Sequence, residues 1–200
     1  MTLARALSRT DAAPVARRHP VLAIGSNASP AQLHDKFGDE AHSAVVPLTT
    51  VTVVGVDVSY SAHTSKAGYI PYAPIACPDR RRQMVMTWLD DDQLAVIDAS
   101  ERNYQPVELR GDVVKATLGS TLDVEHWTLY RSRWGVLRDG PNSSPVSAAG
   151  QGKPRSIFDS LRMELPQEPS AWAEAARFGL VAEDGLGPLV VRGARPPVAR

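Results

Sequence analysis

The apolar run Val21-Leu22-Ala23-Ile24 stops at Gly25-Ser26-Asn27, and Ser29-Pro30 follows. This order constrains the fold more than any other stretch of the chain. A short apolar run closed by turn residues reads as a buried strand. Serine before proline is a helix start, with Ser29 as N-cap and Pro30 at the first helical position. The sequence therefore predicts a strand over residues 19–24, a tight turn, and a helix over residues 30–37. Such a turn offers backbone N–H groups and small polar side chains at a strand end. Taken alone, Gly-Ser-Asn is first of all a plain turn, because glycine and asparagine tolerate positive φ.

Downstream, residues 45–61 alternate (Val51, Val53, Gly55, Asp57, Ser59 against Thr52, Val54, Val56, Val58, Tyr60), which predicts one long strand or two with a bend at Gly55. Residues 68–78 carry Pro71, Pro74 and Pro78 and read as an extended edge or loop, not a central strand. A strand is expected over 83–89. Asp90-Asp91-Asp92 then supplies N-cap and first-turn carboxylates for a helix over 93–99. Residues 106–118 and 122–130 return to strand character, and the Gly/Ser/Pro-rich segment 132–152 reads as a long loop. Helical patterns over 155–164 and 170–178 close the chain. Residues 1–19 and 193–200 read as frayed tails flanking a single domain over 20–192. A strand-rich centre with peripheral helices makes the fold class α+β with a mixed or closed sheet.

Composition narrows the function. Of 200 residues, Lys+Arg and Asp+Glu each total 22, so the net charge is zero. That argues against a broad nucleic-acid surface, and no apolar run approaches a membrane span. The expected partner is a small molecule, with neither nucleic acid nor membrane. Cys77 is the single cysteine, so no intrachain disulfide forms, and a reducing cytoplasm fits. Arginine outnumbers lysine heavily, and with the abundant Ala, Val and Pro this suggests a GC-rich, bacterial coding sequence. The histidines show no metal-ligand spacing and read as solvated or satisfied residues. Arg80-Arg81-Arg82 reads as a solvated turn, and Trp127, Tyr130 and Trp134 as core or lid packing.

Two weak chemical signals remain. The turn carries no Gly-x-Ser-x-Gly elbow and no Walker-type lysine, so it reads as a plain turn or a backbone N–H nest for an anion or oxyanion. Glu101, in Glu101-Arg102-Asn103-Tyr104, follows a helix whose dipole it opposes. It is a solvated residue or, if it faces an enclosed pocket, a proton-transfer group. Tyr104 is its hydrogen-bond partner or part of the core.

In this order the two signals resemble the gamma-glutamylcyclotransferase-like (AIG2-like) superfamily. There the first strand ends in Tyr-Gly-Ser-Asn, and a glutamate after a helix ending in Leu-Asp is the catalytic acid/base. The matching residues are Ile24-Gly25-Ser26-Asn27, Val96-Ile97-Asp98, Glu101 and Tyr104. The likeness spans roughly residues 20–130, with an echo over 172–179. It departs at Ile24, where the family has tyrosine, and after Tyr104, where an arginine is often found. The resemblance implies a small mixed, partly closed β-barrel with a pocket at one mouth. It implies an amine-releasing cyclotransferase that converts a γ-glutamyl amide or amine to 5-oxoproline without metal or cofactor. Glu101 would be catalytic, and Ile24, Gly25, Ser26, Asn27 and Tyr104 would bind substrate. The alternative, kept open by Ile24, is a catalytically inactive binding or regulatory module of the same fold.

Overall fold

In the computed structural model, residues 2–38, 45–111, 115–118, 122–148, 154, 158–159 and 164–189 are described. Among them the chain forms α1 (Leu3–Leu7), β1 (His19–Ala23), a 3-10 turn (Gly25–Ala28), α2 (Pro30–Phe37), β2 (Leu48–Tyr60), β3 (Tyr72–Leu89), α3 (Asp91–Ser100), β4 (Tyr104–Arg110), β5 (Ala116–Leu118), β6 (Leu122–Asp123), β7 (His126–Ser132), β8 (Val136–Leu137), α4 (Pro169–Arg177) and β9 (Val181–Ala182). The fold class is α+β. Seven strands make one mixed sheet in the order β4-β7-β1-β3-β2-β5-β6, with β1 and β7 parallel and the other neighbours antiparallel; β8 and β9 form a separate small pair. The expected barrel does not form. The outer strands β4 and β6 share no ladder among the described residues, and β5 and β6 are too short to extend the sheet around to β4.

The β2–β3 pair is the frame. Its register jumps between Val54 and Gly55, where Val54 faces Arg81 and Gly55 faces Cys77. The skipped residues on β3 form a bulge, and bulges bend and twist a pair. Gly55 takes φ 99°, a backbone conformation that favours glycine. Of the two forms expected for residues 45–61, the chain takes the single long strand, with the register irregularity at Gly55. Residues 68–78 read as an extended edge or loop; from Tyr72 they are strand, continuous with β3, and this half of β3 pairs with β2 alone, because β1 pairs with β3 only over Val85–Leu89. The prolines fit for geometric reasons. Ala76 N–H points away from β2, donating to Gly185 O at 2.7 Å. Pro74, two residues earlier, faces the same way, so its missing N–H removes nothing from the β2 ladder, and Pro78 lies in the bulge.

Three further expectations change. Residues 1–19 are not simply frayed: Leu7 is buried, and the buried Arg18 donates to Trp88 O at 2.7 Å and Ala13 O at 2.8 Å. The segment 132–152 contains β8, and Ala148 N–H donates to Val58 O at 2.7 Å. Arg80 and Arg82 are not a solvated turn; both sit on β3 and pair with Asp57 on β2. Of the helix expected over 155–164, Phe158 and Asp159 are helical and Glu164 is not, while the rest, like the 193–200 tail, lies outside the described residues. No helix among the described residues is long and apolar enough to cross a membrane.

Asp57 falls on the buried face of β2 together with Val51, Val53 and Ser59. Burial alone would raise its carboxyl. Hydrogen bonds from Ser147 Oγ (2.7 Å), the Val58 amide (2.8 Å), Arg82 and Arg80 (3.0 Å) outweigh that and hold it below the usual carboxylate range. The cluster ties β2, the β3 bulge and the 132–148 segment together. Because the folded value is depressed, the stabilisation is complete above the unfolded value of about 4 and fades as pH falls through the folded one. We expect Asp57→Ala to lower the unfolding free energy by roughly 2–3 kcal/mol at pH 7, from charged hydrogen bonds of this kind, and to flatten the acid limb of stability. Denaturant titrations at pH 7 and pH 3 check both.

Candidate functional site

Packing between α2 and α3 builds the site. Leu33 on α2 and Leu94 and Ile97 on α3 share one apolar cluster with Val21, Leu89 and Tyr130. Lys36 lies one helical turn beyond Leu33, and Glu101 one turn beyond Ile97. Burying the apolar pair therefore sets the two charges side by side. Lys36 Nζ donates to Glu101 Oε1 at 2.9 Å and to Asn27 Oδ1 at 2.7 Å, and Asn27 Nδ2 donates to the same Oε1 at 3.0 Å. The side chains of Lys36 and Glu101 are 20% and 12% exposed. Both bonds to Glu101 fall on Oε1, and no described residue hydrogen-bonds Oε2.

The loop is held by local chemistry. Gly25 has φ 66° and opens the 3-10 turn Gly25–Ala28, whose first N–H groups have no partner within the turn. Ser29 Oγ caps α2 by accepting from Gln32 N, with Pro30 at its start. Glu101 is the C-cap of α3, its N–H donating to Ile97 O at 3.1 Å. Lys36 and Asn27 supply the positive and donor groups that the helix C-terminus does not.

These residues line a cavity of about 600 Å³, a size suited to a small ligand. Ile24, Gly25, Ser26, Asn27, Glu101 and Tyr104, the six residues singled out from sequence, all face it. Among its described lining residues the formal charges are Lys36 and Glu101. The Tyr104 hydroxyl does not bond Glu101; it donates to Tyr72 O at 2.8 Å. Burial pushes the Tyr104 phenol up, and the Glu101 carboxylate adds to the rise, so it stays protonated. Ile24 brings no ring, yet a tyrosine ring does reach the loop: Tyr72 Cδ2 lies 3.9 Å from where a Cβ on Gly25 would stand.

Sequence reasoning missed Lys36 and His63. For Lys36, its spacing from Leu33 is the available signal. His63 is buried, and its Nδ1 is 2.7 Å from Ser61 Oγ, which is 2.6 Å from Ser132 Oγ. The backbone N–H of Trp134 donates to Ser132 Oγ at 3.0 Å. Burial lowers His63 to about 4, so the imidazole is neutral. Of the three aromatics read as core or lid packing, Trp127 is in the main core, Tyr130 packs in the cluster against α3, and Trp134 is exposed. Among the described residues no cluster of His, Cys, Asp and Glu could hold a metal.

The architecture is that of an α+β domain with a charged pocket at the end of its first strand. Solved structures to which the chain is similar include an uncharacterized human protein (12% identity, covering 80% of this chain and 99% of that one, TM-score 0.48), a gamma-glutamyl cyclotransferase (12%, 80% and 99%, 0.46) and an Arabidopsis thaliana protein (14%, 73% and 83%, 0.45). No protein-family model matches the sequence, and neither does any curated protein. Identities of this size do not assign a reaction, which has to come from the pocket's own groups.

His63 titrates in the unfolded chain near 6.5 but in the fold only near 4. The unfolded state therefore binds the extra proton between these values, and stability falls as pH drops through that window. We expect His63→Gln to remove an acid-side loss on the order of 3 kcal/mol between pH 6.5 and 4, read as a flatter stability–pH curve. Gly25→Ala should cost roughly 1–2 kcal/mol through its positive φ, since the 3.9 Å gap leaves room for the methyl.

Proposed function

We propose that the chain is an amine-releasing cyclotransferase, converting a γ-glutamyl amide or amine to 5-oxoproline with Glu101 as general acid/base. One observation carries the reading: Glu101 Oε1 is hydrogen-bonded by the turn residue Asn27, inside a cavity whose described charges are one carboxylate and one ammonium. That pairing suits a zwitterionic α-amino-acid head. The substrate's ammonium would meet Glu101. Its α-carboxylate would meet the amides of Gly25, Ser26 and Asn27 and the Lys36 ammonium.

The chemistry is economical for such a site. The α-amine attacks its own γ-carbonyl, forming the ring C–N bond, and the bond from that carbonyl to the departing amine breaks. The nucleophile is tethered, so the protein holds a near-attack conformer and moves a proton. Glu101 takes a proton from the α-ammonium and delivers one to the leaving nitrogen. Donors already fixed by the fold would stabilise the tetrahedral oxyanion. Nothing in the scheme calls on a metal or organic cofactor. A bacterial source and a cytoplasmic location belong to the same reading.

Glu101→Gln keeps the shape of the site but not the proton acceptor. We expect turnover of γ-glutamyl amides, followed as 5-oxoproline and free amine, to fall by about 10²–10⁴ while equilibrium binding is retained. Undiminished turnover in this variant would overturn the assignment, and binding without product in the wild type would favour the inactive-module alternative. Lys36→Met should raise KM by about tenfold or more, the loss of one charged hydrogen bond to the substrate.

A further inference from the structure

A second cavity, of about 330 Å³, adjoins the first: His63 and Asn103 line both. Its character is the opposite. Trp134, Trp172, Ala173, Ala176 and Val181 supply most of its wall, and none of its described lining residues carries a formal charge. The wall is also preformed. Trp172 Nε1 donates to Thr64 Oγ1 at 3.2 Å, and its ring packs edge-on against Phe158, with centroids 5.8 Å apart at 88°. Trp134 Nε1 donates to Asn103 Oδ1 at 3.1 Å. Both indole N–H groups are thus satisfied within the protein, so what the two rings offer a ligand is their carbon surface.

The neck between the cavities is polar. Asn103 spends its carbonyl on Trp134, and its Nδ2 has no partner among the described residues. His63 Nδ1 is engaged by Ser61 Oγ at 2.7 Å, and its Nε2 has no partner among the described residues. The Asn103 amide N–H group and the His63 imidazole nitrogen therefore stand where the charged cavity passes into the uncharged one, polar partners for an amide lying across the neck.

We propose that this second cavity is the leaving-amine subsite, and that the substrates are γ-glutamyl amides of uncharged aromatic or arylalkyl amines. The inference rests on the cyclotransferase reading and sharpens it. An amino-acid leaving group would carry its carboxylate into a slot with no cation among the described residues, and burying a charge without a partner is strongly unfavourable. A benzyl group needs no such partner. A pocket of roughly 150 Å³ already accommodates benzene, so the slot has room for an aromatic ring and its linker.

The test uses the full chain with γ-glutamylbenzylamide, γ-glutamylmethylamide and γ-glutamylglycine, comparing kcat/KM in the wild type, Ala176→Trp and Ala173→Phe. Both alanines are exposed on α4 and face the slot, so larger side chains fill it without entering the core. The wild type should favour the benzylamide over the glycine compound by about tenfold or more. Each variant should lose that preference while the methylamide rate holds. Equal or better turnover of the glycine compound, or an equal loss for all three substrates, would overturn the proposal. Binding of N-benzylacetamide, which lacks the glutamyl head, is measured in parallel by NMR titration. If no γ-glutamyl compound is cyclised yet this probe binds the wild type and not Ala176→Trp, the cyclotransferase reading fails and the aryl slot stands. If the probe does not bind either, both fail.

Discussion

The bend in the β2–β3 pair is what the rest of the molecule depends on. Val85 pairs with Ala23, just before the turn at Gly25. In an unbent strand Tyr72 would lie about 40 Å along β3 from Val85. Instead its ring touches the Gly25 loop. The register jump at Val54/Gly55 and the bulge opposite it fold the far half of the pair back over the end of β1. That half delivers Tyr72 and, just past β2, Ser61 and His63. Without the bend there is no roof over the turn and no junction between the two cavities. The Asp57 cluster sits next to the bulge and joins both strands to the 132–148 segment, so the curvature is held by charge as well as by twist.

The lower half of the pocket has a separate origin. Here the apolar contacts of Leu33, Leu94 and Ile97 place polar groups that lie one turn further along each helix. The result is a carboxylate held by two donors on one oxygen and open on the other. Such a group is fixed in position without being consumed by its structural partners, which is what proton transfer to a bound substrate asks of it. The division of the binding space into a charged cavity and an uncharged one matches a ligand that is zwitterionic at one end and apolar at the other.

Several residues show why local reading reached only part of this. The first strand, its turn and α2 were legible because their determinants are contiguous: an apolar run, turn residues and a Ser-Pro cap. The Asp90-Asp91-Asp92 run likewise marked the start of α3. Pro71, Pro74 and Pro78 marked an extended edge, and that half of β3 pairs with β2 alone; what local reading could not give was its continuity with residues 83–89 through the bulge. Asp57 read as one more member of an alternating row, although its side-chain partners Arg80, Arg82 and Ser147 are more than 20 residues away. The barrel expectation failed because closure is a property of strand order and strand length, not of β character.

The sequence by itself determined the α+β class, the strand–turn–helix unit at residues 19–37 and the pair of segments that carry the candidate chemistry. Each is set by neighbours close in the chain, through propensity, capping and periodicity. Only the tertiary structure decided that Lys36 grips Glu101, that Tyr72 covers the Gly25 turn, and that His63 and Asn103 join two unlike cavities. Those relations link residues 40 to 65 positions apart, so they follow from helix packing and strand curvature rather than from local pattern.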